Sequence, residues 1–204
     1  MIILGITGGI ATGKSTVTAL LAEKGAPTIS ADEIAHAQLA PGTDTTRAVL
    51  AAFPECSDSA GQGIDRQALG RVIFADTDAR IRLEALTHPP IIAALQSMIS
   101  AWRTEGPGIA VAEIPLLFEA DLEQLVDVVV VVSCAEAVQL ARLLARPGMN
   151  DSEAHRRIAA QMPLSKKVAR ADQVITTDIG MEDTRRQLQE FWDLLCHNKA
   201  SLSG

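Results

Sequence analysis

The sequence has no tyrosine, and four Phe and two Trp bring aromatic residues to only 3%. Stacking on bases cannot then be a major binding mode, and the core has to be assembled from Ala, Val, Ile and Leu. The three cysteines, Cys56, Cys134 and Cys196, are widely spaced and form no CxxC pair. That pattern argues against a disulfide framework or a thiolate zinc site and fits a reducing cytoplasm. No stretch reaches the ~18 apolar residues of a membrane span, and the apolar opening segment lacks a basic flank. The chain is therefore expected to be soluble, untargeted and cytoplasmic. Positive charge is also scarce: 18 basic against 25 acidic side chains leave a net charge of −7. General attraction to nucleic acid or an anionic membrane is thereby disfavoured, so any phosphate binding must be local. What is present, 204 residues of which 48% are hydrophobic, suffices for one folded domain carrying an insertion or two.

Ile2-Ile3-Leu4-Gly5-Ile6 is a short branched run that meets Gly8-Gly9, the pattern of a buried strand entering a tight turn. Residues 14–24 read as a helix with Val17, Leu20 and Leu21 on one face and Gly25 as its stop. Further strands are expected at 27–29, 108–114 and 126–132, the last broken only by Asp127. Such non-alternating runs indicate a parallel sheet covered by helices on both faces. Helical patterns occupy 32–40, 45–53, 66–74, 79–86, 90–102, 135–145 and 181–195, where Leu188, Phe191 and Leu195 share a face. Residues 41–104 contain no strand-like run and read as a helical insertion suited to substrate recognition. Within it, 54–63 reads as a mobile polar loop.

The strongest chemical signal is Gly8-Gly9-Ile10-Ala11-Thr12-Gly13-Lys14-Ser15, which satisfies G-x-x-x-x-G-K-[ST] between an expected strand and helix. Glycines let backbone amides turn inward around phosphate oxygens, and the following helix offers its positive end. Lys14 can reach the β- and γ-phosphates, and the Ser15 hydroxyl can ligate Mg²⁺. Asp32 lies near the carboxyl end of the second expected strand, where ligands gather in α/β sheets. It is either a base for an attacking hydroxyl or the N-cap of the helix it opens. Glu113, at the end of the third strand, is either a water-mediated magnesium ligand or a solvated terminus. His88 and Leu116 to Phe118, read alone, are core or capping residues.

Charge is unevenly spread. Residues 142–170 hold seven basic side chains against Asp151 and Glu153, a local +5 in a chain of −7. Arg142 and Arg146, four apart on one helix face, suit a basic flap over polyphosphate, from which one arginine could meet the migrating phosphoryl group. The alternative is a solvated helical hairpin.

Taken together, the chain resembles the dephospho-CoA kinase family over about its first 180 residues. The resemblance runs through Gly5-Ile6-Thr7-Gly8-Gly9-Ile10, Gly13-Lys14-Ser15-Thr16, Ala31-Asp32-Glu33-Ile34-Ala35 and Ile64 to Gly70. It continues through Val72-Ile73-Phe74, His88-Pro89, Ile114 to Glu119, Gln139, Arg142, Arg146, Arg157-Ile158, Gln161 and Ala171-Asp172. It implies an α/β P-loop NTPase fold, a three-layer sandwich with a parallel sheet, and a core of residues 1–40, 105–140 and 171–200. A helical CoA-binding insertion at 41–104 and a small helical lid at 141–170 would complete it. It implies ATP and dephospho-CoA as substrates, Mg²⁺ as cofactor, neither nucleic acid nor membrane as partner, and a monomer or weak homo-oligomer. Gly9, Ile10, Ala11, Thr12, Gly13, Lys14, Ser15 and Thr16, with Arg142 and Arg146, would bind ATP, and Ser15 the metal. Lys14, Asp32 and Arg142 would be catalytic, with Asp32 the base toward the ribose hydroxyl; Asp32, Arg66, His88, Leu116, Phe118 and Glu119 would shape the acceptor side. Ala11-Thr12 stands for the family's usual Gly-Ser, Thr177 for a frequent Asn on the adenine side, and Glu113 for a frequent Asp. Two other readings stay open: a different small-molecule or nucleoside monophosphate kinase, since the loop reports the donor only, and a regulatory nucleotide switch. Against the switch, the sequence has no Asn-Lys-x-Asp guanine signature.

Overall fold

In the computed structural model, which describes residues 1–106 and 108–202, the apolar opening run forms β1 (Ile2–Gly8). It is the middle strand of a five-stranded sheet ordered β2-β3-β1-β4-β5. The others are β2 (Thr28–Ser30), β3 (Ile109–Glu113), β4 (Val128–Ser133) and β5 (Gln173–Thr176). β1 pairs in parallel with β3 and β4, and β4 pairs in parallel with β5. Helices α1 (Lys14–Glu23) and α9 (Met181–Leu202) cover it. Val17, Leu20 and Leu21 of α1 and Leu188, Phe191 and Leu195 of α9 form one buried cluster with Leu4, Ile6, Val111, Val130, Val132 and Ile175. The apolar faces read from helical spacing are thus the faces that bury.

Two compact units emerge. One comprises Met1–Thr28 and the chain from Glu105 onward; the other is Ile29–Thr104. The division falls earlier than residue 41, so α2 (Ala31–Gln38) goes with the helical unit, together with α3 (Asp44–Ala52), α4 (Arg66–Ala75) and α5 (Thr77–Glu105). Its own core is Val49, Phe53, Cys56, Leu69 and Ala79. The first unit also contains α6 (Glu136–Leu144), α7 (Asp151–Ala159) and α8 (Leu164–Val168). Among the described residues no helix is long and apolar enough to cross a membrane.

Several expectations are corrected. The run 126–132 does not start its strand at Val126. The Asp127 carboxylate accepts the Ile3 amide at 2.7 Å and the Asp127 amide donates to Ile3 O at 2.9 Å, while Val126 packs where a Cβ on Gly5 would lie, 2.8 Å away. A carboxylate that takes a strand amide replaces a ladder bond and fixes where the next strand enters. Asp172 repeats the device on Val129 before β5, at 2.7 and 3.0 Å. The two helices expected at 79–86 and 90–102 are one helix of 29 residues that passes through Pro89 and Pro90. Pro89 is exposed, so carbonyls deprived of N–H donors there can turn to water. Loop 54–63, expected as a polar connection, contains an internally hydrogen-bonded turn. Asp58 N donates to Gly63 O at 2.8 Å, Gln62 N donates to the Asp58 carboxylate at 3.1 Å, and Ser57 bridges Ile64. The backbone amide of Gly63 above all, with those of Gln62, Ala60 and Gly61, holds the Asp58 carboxyl below its ordinary range.

Four of the seven basic side chains of this stretch have carboxylate partners within their own unit. Arg156 and Arg157 both engage Glu153, and Arg170 pairs with Glu123 and lies 4.4 Å over the Phe118 ring. Lys167 is fully buried; its ammonium donates to Pro115 O at 3.0 Å and meets the Glu119 carboxylate at 2.8 Å, while the Met162 amide donates to the same carboxylate at 3.0 Å. Glu119 therefore anchors the α7–α8 segment to the loop after β3.

Removing Glu119 would strand a buried ammonium on one carbonyl. Glu119→Ala is expected to cost about 3 kcal/mol, the low end for breaking a buried pair because water reaches this carboxylate, and to lower Tm by about 6–12 °C in calorimetry. An unchanged Tm would show that Lys167 does not depend on it. A second expectation concerns the thiols. Burial pushes Cys56 and Cys134 up, so little thiolate forms near neutral pH and access is poor, whereas Cys196 is exposed. Ellman's reagent should find one fast thiol, abolished by Cys196→Ser, and the other two only in denaturant. Three fast thiols would contradict this burial.

Candidate active site

The G-x-x-x-x-G-K-[ST] segment sits where β1 ends and α1 begins, as its residue types require. Gly8 must be glycine because a Cβ there would stand 2.2 Å from Val132 O, while a Cβ on Gly9 would stand 2.6 Å from Gln139 Nε2 and push that side chain aside. Gly13, at φ 95°, caps α1. Ala11 also takes a left-handed conformation, φ 60°, the position at which the family pattern has glycine. Thr12 is buried and its hydroxyl donates to Gly9 O at 2.9 Å, closing the loop on itself. Lys14 Nζ donates to the same carbonyl at 2.9 Å.

Side chains from elsewhere in the unit fix the loop from outside. Gln139, buried on α6, donates to Ile10 O at 2.6 Å, and Gln161 accepts from Ile10 N at 2.7 Å. One residue is thus held through both its amide and its carbonyl. Arg142, also on α6, donates from Nη1 to Ala11 O at 3.4 Å and to Thr177 Oγ1 at 2.8 Å, and from Nη2 to Thr177 O at 2.7 Å. Arg146, one turn on, is exposed. Of the basic stretch, then, Arg142 has its contacts at the loop, whereas Arg156, Arg157, Lys167 and Arg170 have carboxylate partners away from it.

Ser15 Oγ donates to Glu113 Oε1 at 3.0 Å. Glu113 is buried at the end of β3, so of the two readings open for it the solvated terminus falls away. A hydroxyl and a carboxylate side by side are hard oxygen donors. Among the described residues there is no cluster of three or more His, Cys, Asp or Glu that could hold a metal alone. This donor set suits a Mg²⁺ ion that keeps most of its coordination on phosphate and water.

Two cavities flank the loop within this unit. One of about 260 Å³ is lined by Gly13, Thr16, Arg142, Thr177, Met181 and Thr184, among others. A larger one of about 830 Å³ lies beside Gly9, walled by α6, α7 and α8 residues such as Gln139, His155, Ile158 and Leu164. In the helical unit, a cavity of about 310 Å³ is lined by Asp32, His36, Leu39, Arg66, Leu69 and Ile73. There the Arg66 guanidinium lies 3.1 Å from His36 Nδ1. Asp32 does not cap α2: Ser30 does, its hydroxyl accepting from Glu33 N at 3.4 Å. That leaves the Asp32 carboxylate in the cavity wall without a capping duty.

The expected acceptor-side residues divide. Asp32 and Arg66 line one cavity; Leu116 is 40% exposed, while Phe118 is buried under Arg170 and Glu119 is engaged by Lys167. His88 is half-buried within α5. Of the residues that meet the loop, Glu113 enters the sequence reading only as an open alternative, Thr177 only as a departure on the adenine side, and Gln139 and Gln161 only through the family resemblance; local spacing does not mark their contacts, which cross long sequence separations.

A family model described as dephospho-CoA kinase matches residues 2–183. A dephospho-CoA kinase from Geobacter sulfurreducens is 44% identical over 192 residues, covering 94% of this chain and 98% of its own length. Among solved structures, TT1252 from Thermus thermophilus superposes with a TM-score of 0.79 at 35% identity, covering 95% of this chain and 97% of its own. A dephospho-CoA kinase from Campylobacter jejuni gives 0.66 at 27%, covering 95% and 96%. With the likeness running through both units at nearly full length, the chain belongs to the dephospho-CoA kinase family.

Proposed function

We propose that this chain is an ATP-dependent kinase that phosphorylates the ribose 3′-hydroxyl of dephospho-CoA, giving coenzyme A and ADP. The observation that carries the reading is the extent of the family match, residues 2–183. It spans not only the phosphate loop, which reports the donor, but the whole helical unit, which that loop says nothing about.

The donor belongs to the first unit. Backbone amides of the loop and the N-terminus of α1 receive the phosphates of ATP. Lys14 exchanges its hold on Gly9 O for the terminal phosphates, and Arg142 faces the transferring group. The cavity at Gly13, Thr16 and Met181 takes the nucleoside, with Met181, half exposed, offering an apolar edge. Mg²⁺ would be held by Ser15 and, through water, by Glu113, and would supply charge neutralisation between the β- and γ-phosphates. The acceptor belongs to the helical unit, where Asp32, His36 and Arg66 put a carboxylate and two basic groups around an apolar floor; His88 and Leu116 are assigned to the same substrate. The lid role stays with residues 141–170, within the first unit.

In the reaction the 3′-oxygen attacks the γ-phosphorus, the bond from phosphorus to the β–γ bridging oxygen breaks, and ADP leaves. The hydroxyl proton passes to the Asp32 carboxylate. Charge spreads over the equatorial oxygens, so positioning and electrostatics account for most of the rate, and the protein does little covalent work. Cytoplasmic residence and a monomeric or weakly associating state belong to the same proposal, supported by free, buried Cys56 and Cys134.

The decisive assay offers dephospho-CoA, adenosine, AMP and shikimate in turn with magnesium and ATP, and reads the products by mass spectrometry. One phosphate added to dephospho-CoA, with far slower turnover of the rest, is expected; preference for another acceptor would overturn the reading. Asp32→Ala should lower kcat about 10²–10⁴-fold, the range for a lost general base, with the Kd for ATP changed less than about threefold; an unchanged kcat would remove Asp32 from the chemistry. Arg142→Ala should lower kcat about 10²–10³-fold, as for a lost transition-state donor, and KM for ATP far less. The reverse split would make Arg142 a binding residue.

A further inference from the structure

We infer that Thr177 is a positioning residue for phosphoryl transfer, acting through Arg142 and not through the nucleotide base. The inference rests on the kinase reading above and deepens it.

Thr177 follows β5, and its backbone is tied to the end of β4 by its amide, which donates to Ser133 O at 3.0 Å. Only 8% of its surface is exposed. Its hydroxyl is used twice: the proton goes to Thr12 O at 2.8 Å, and the oxygen accepts from Arg142 Nη1 at 2.8 Å. Its carbonyl accepts Nη2 of the same guanidinium at 2.7 Å. A planar fork gripped on two nitrogens by one residue has its orientation fixed. The same hydroxyl ties that orientation to the loop carbonyl just before Gly13, and its methyl lies 3.4 Å from where a Gly13 Cβ would stand. The sheet end, the phosphate loop and the Arg142 guanidinium are thereby tied together by a single residue, through its amide, its carbonyl and its hydroxyl. An adenine contact alone would require none of these four bonds.

Removing the hydroxyl at constant shape isolates this role. Thr177→Val keeps the carbonyl bond but takes the hydroxyl from Thr12 O and leaves Nη1 only its 3.4 Å contact with Ala11 O, so kcat should fall about ten- to a hundredfold, as for a lost bond to a charged group. KM for ATP should move less than about threefold, and Thr177→Ser should recover to within about threefold of wild type. On an Arg142→Ala background the same Val substitution should cost less than about twofold more, because residues that act as a unit are non-additive. Equal losses on both backgrounds, or a loss confined to KM for ATP, would overturn the proposal. A second measurement needs neither the Val variant to fold nor any acceptor. In the ¹⁵N arginine side-chain spectrum of the wild-type protein, the signal missing from Arg142→Ala should show slow guanidinium rotation. A freely rotating Arg142 overturns the proposal. A wild-type protein inert toward dephospho-CoA would overturn the kinase reading instead, and the spectrum would still decide the hold of Thr177 on Arg142.

Discussion

A phosphate loop has to aim amides at an anion and so can spend few of them on holding its own shape. Here Ile10 N goes to Gln161 and Thr12 N to Gly9 O, and most of the rest of the hold falls to the loop carbonyls and the side chains around them. Gly9 O takes both the Thr12 hydroxyl and the Lys14 ammonium, Gln139 takes Ile10 O, and Arg142 and Thr177 take Ala11 O and Thr12 O. Four successive peptides, from Gly9 to Thr12, are each gripped through the carbonyl. This pattern leaves the inward side of the loop to the ligand. It also explains why the sheet is built as it is: the strands whose ends carry these clamps, β4 and β5, lie successively beside β1.

The parts of this arrangement that were legible in the sequence are those written in neighbouring residues. β1, the loop and α1 follow from a branched run, spaced glycines and a 3.6-residue apolar stripe, and all three are found at nearly the expected bounds. The boundaries that shifted were decided by partners far along the chain. Asp127 looks like a flaw in a valine strand until its carboxylate is seen to take the Ile3 amide, 124 residues away. Pro89 and Pro90 look like a stop, yet the helix runs on. Glu113 could not be told from a solvated terminus because its partner, Ser15, is 98 residues distant. Gln161 and Thr177 stand 151 and 165 residues from the loop atoms they bind, a separation at which periodicity carries no information.

Charge shows the same division between composition and fold. A local +5 over residues 142–170 suggests a basic surface offered to polyphosphate. In the fold, exposed pairs such as Arg156–Glu153 contribute little to stability, but they consume charge that would otherwise face a ligand. Lys167 goes further and is buried outright, an arrangement that specifies where the α7–α8 segment docks more than it stabilises the fold. Arg142 differs because its partners at the loop are neutral carbonyls and a hydroxyl. Its positive charge stays uncompensated at the loop, and that is the property an anionic transition state requires.

Ala11 brings these threads to one residue. At φ 60° an alanine costs about 1–2 kcal/mol more than a right-handed conformation would. Against glycine at the same position, part of that is offset by about 0.4–1 kcal/mol, because alanine restricts the unfolded chain. The net cost is therefore of the order of 1 kcal/mol or less, small enough for one charge-assisted hydrogen bond to balance. The Ala11 carbonyl is the one Arg142 approaches, at 3.4 Å, a length at which the bond is weak and offsets only part of that cost. A methyl group where the family pattern has glycine is thus compatible with an intact cradle, provided the arginine remains held above it, and the holding falls to Thr177.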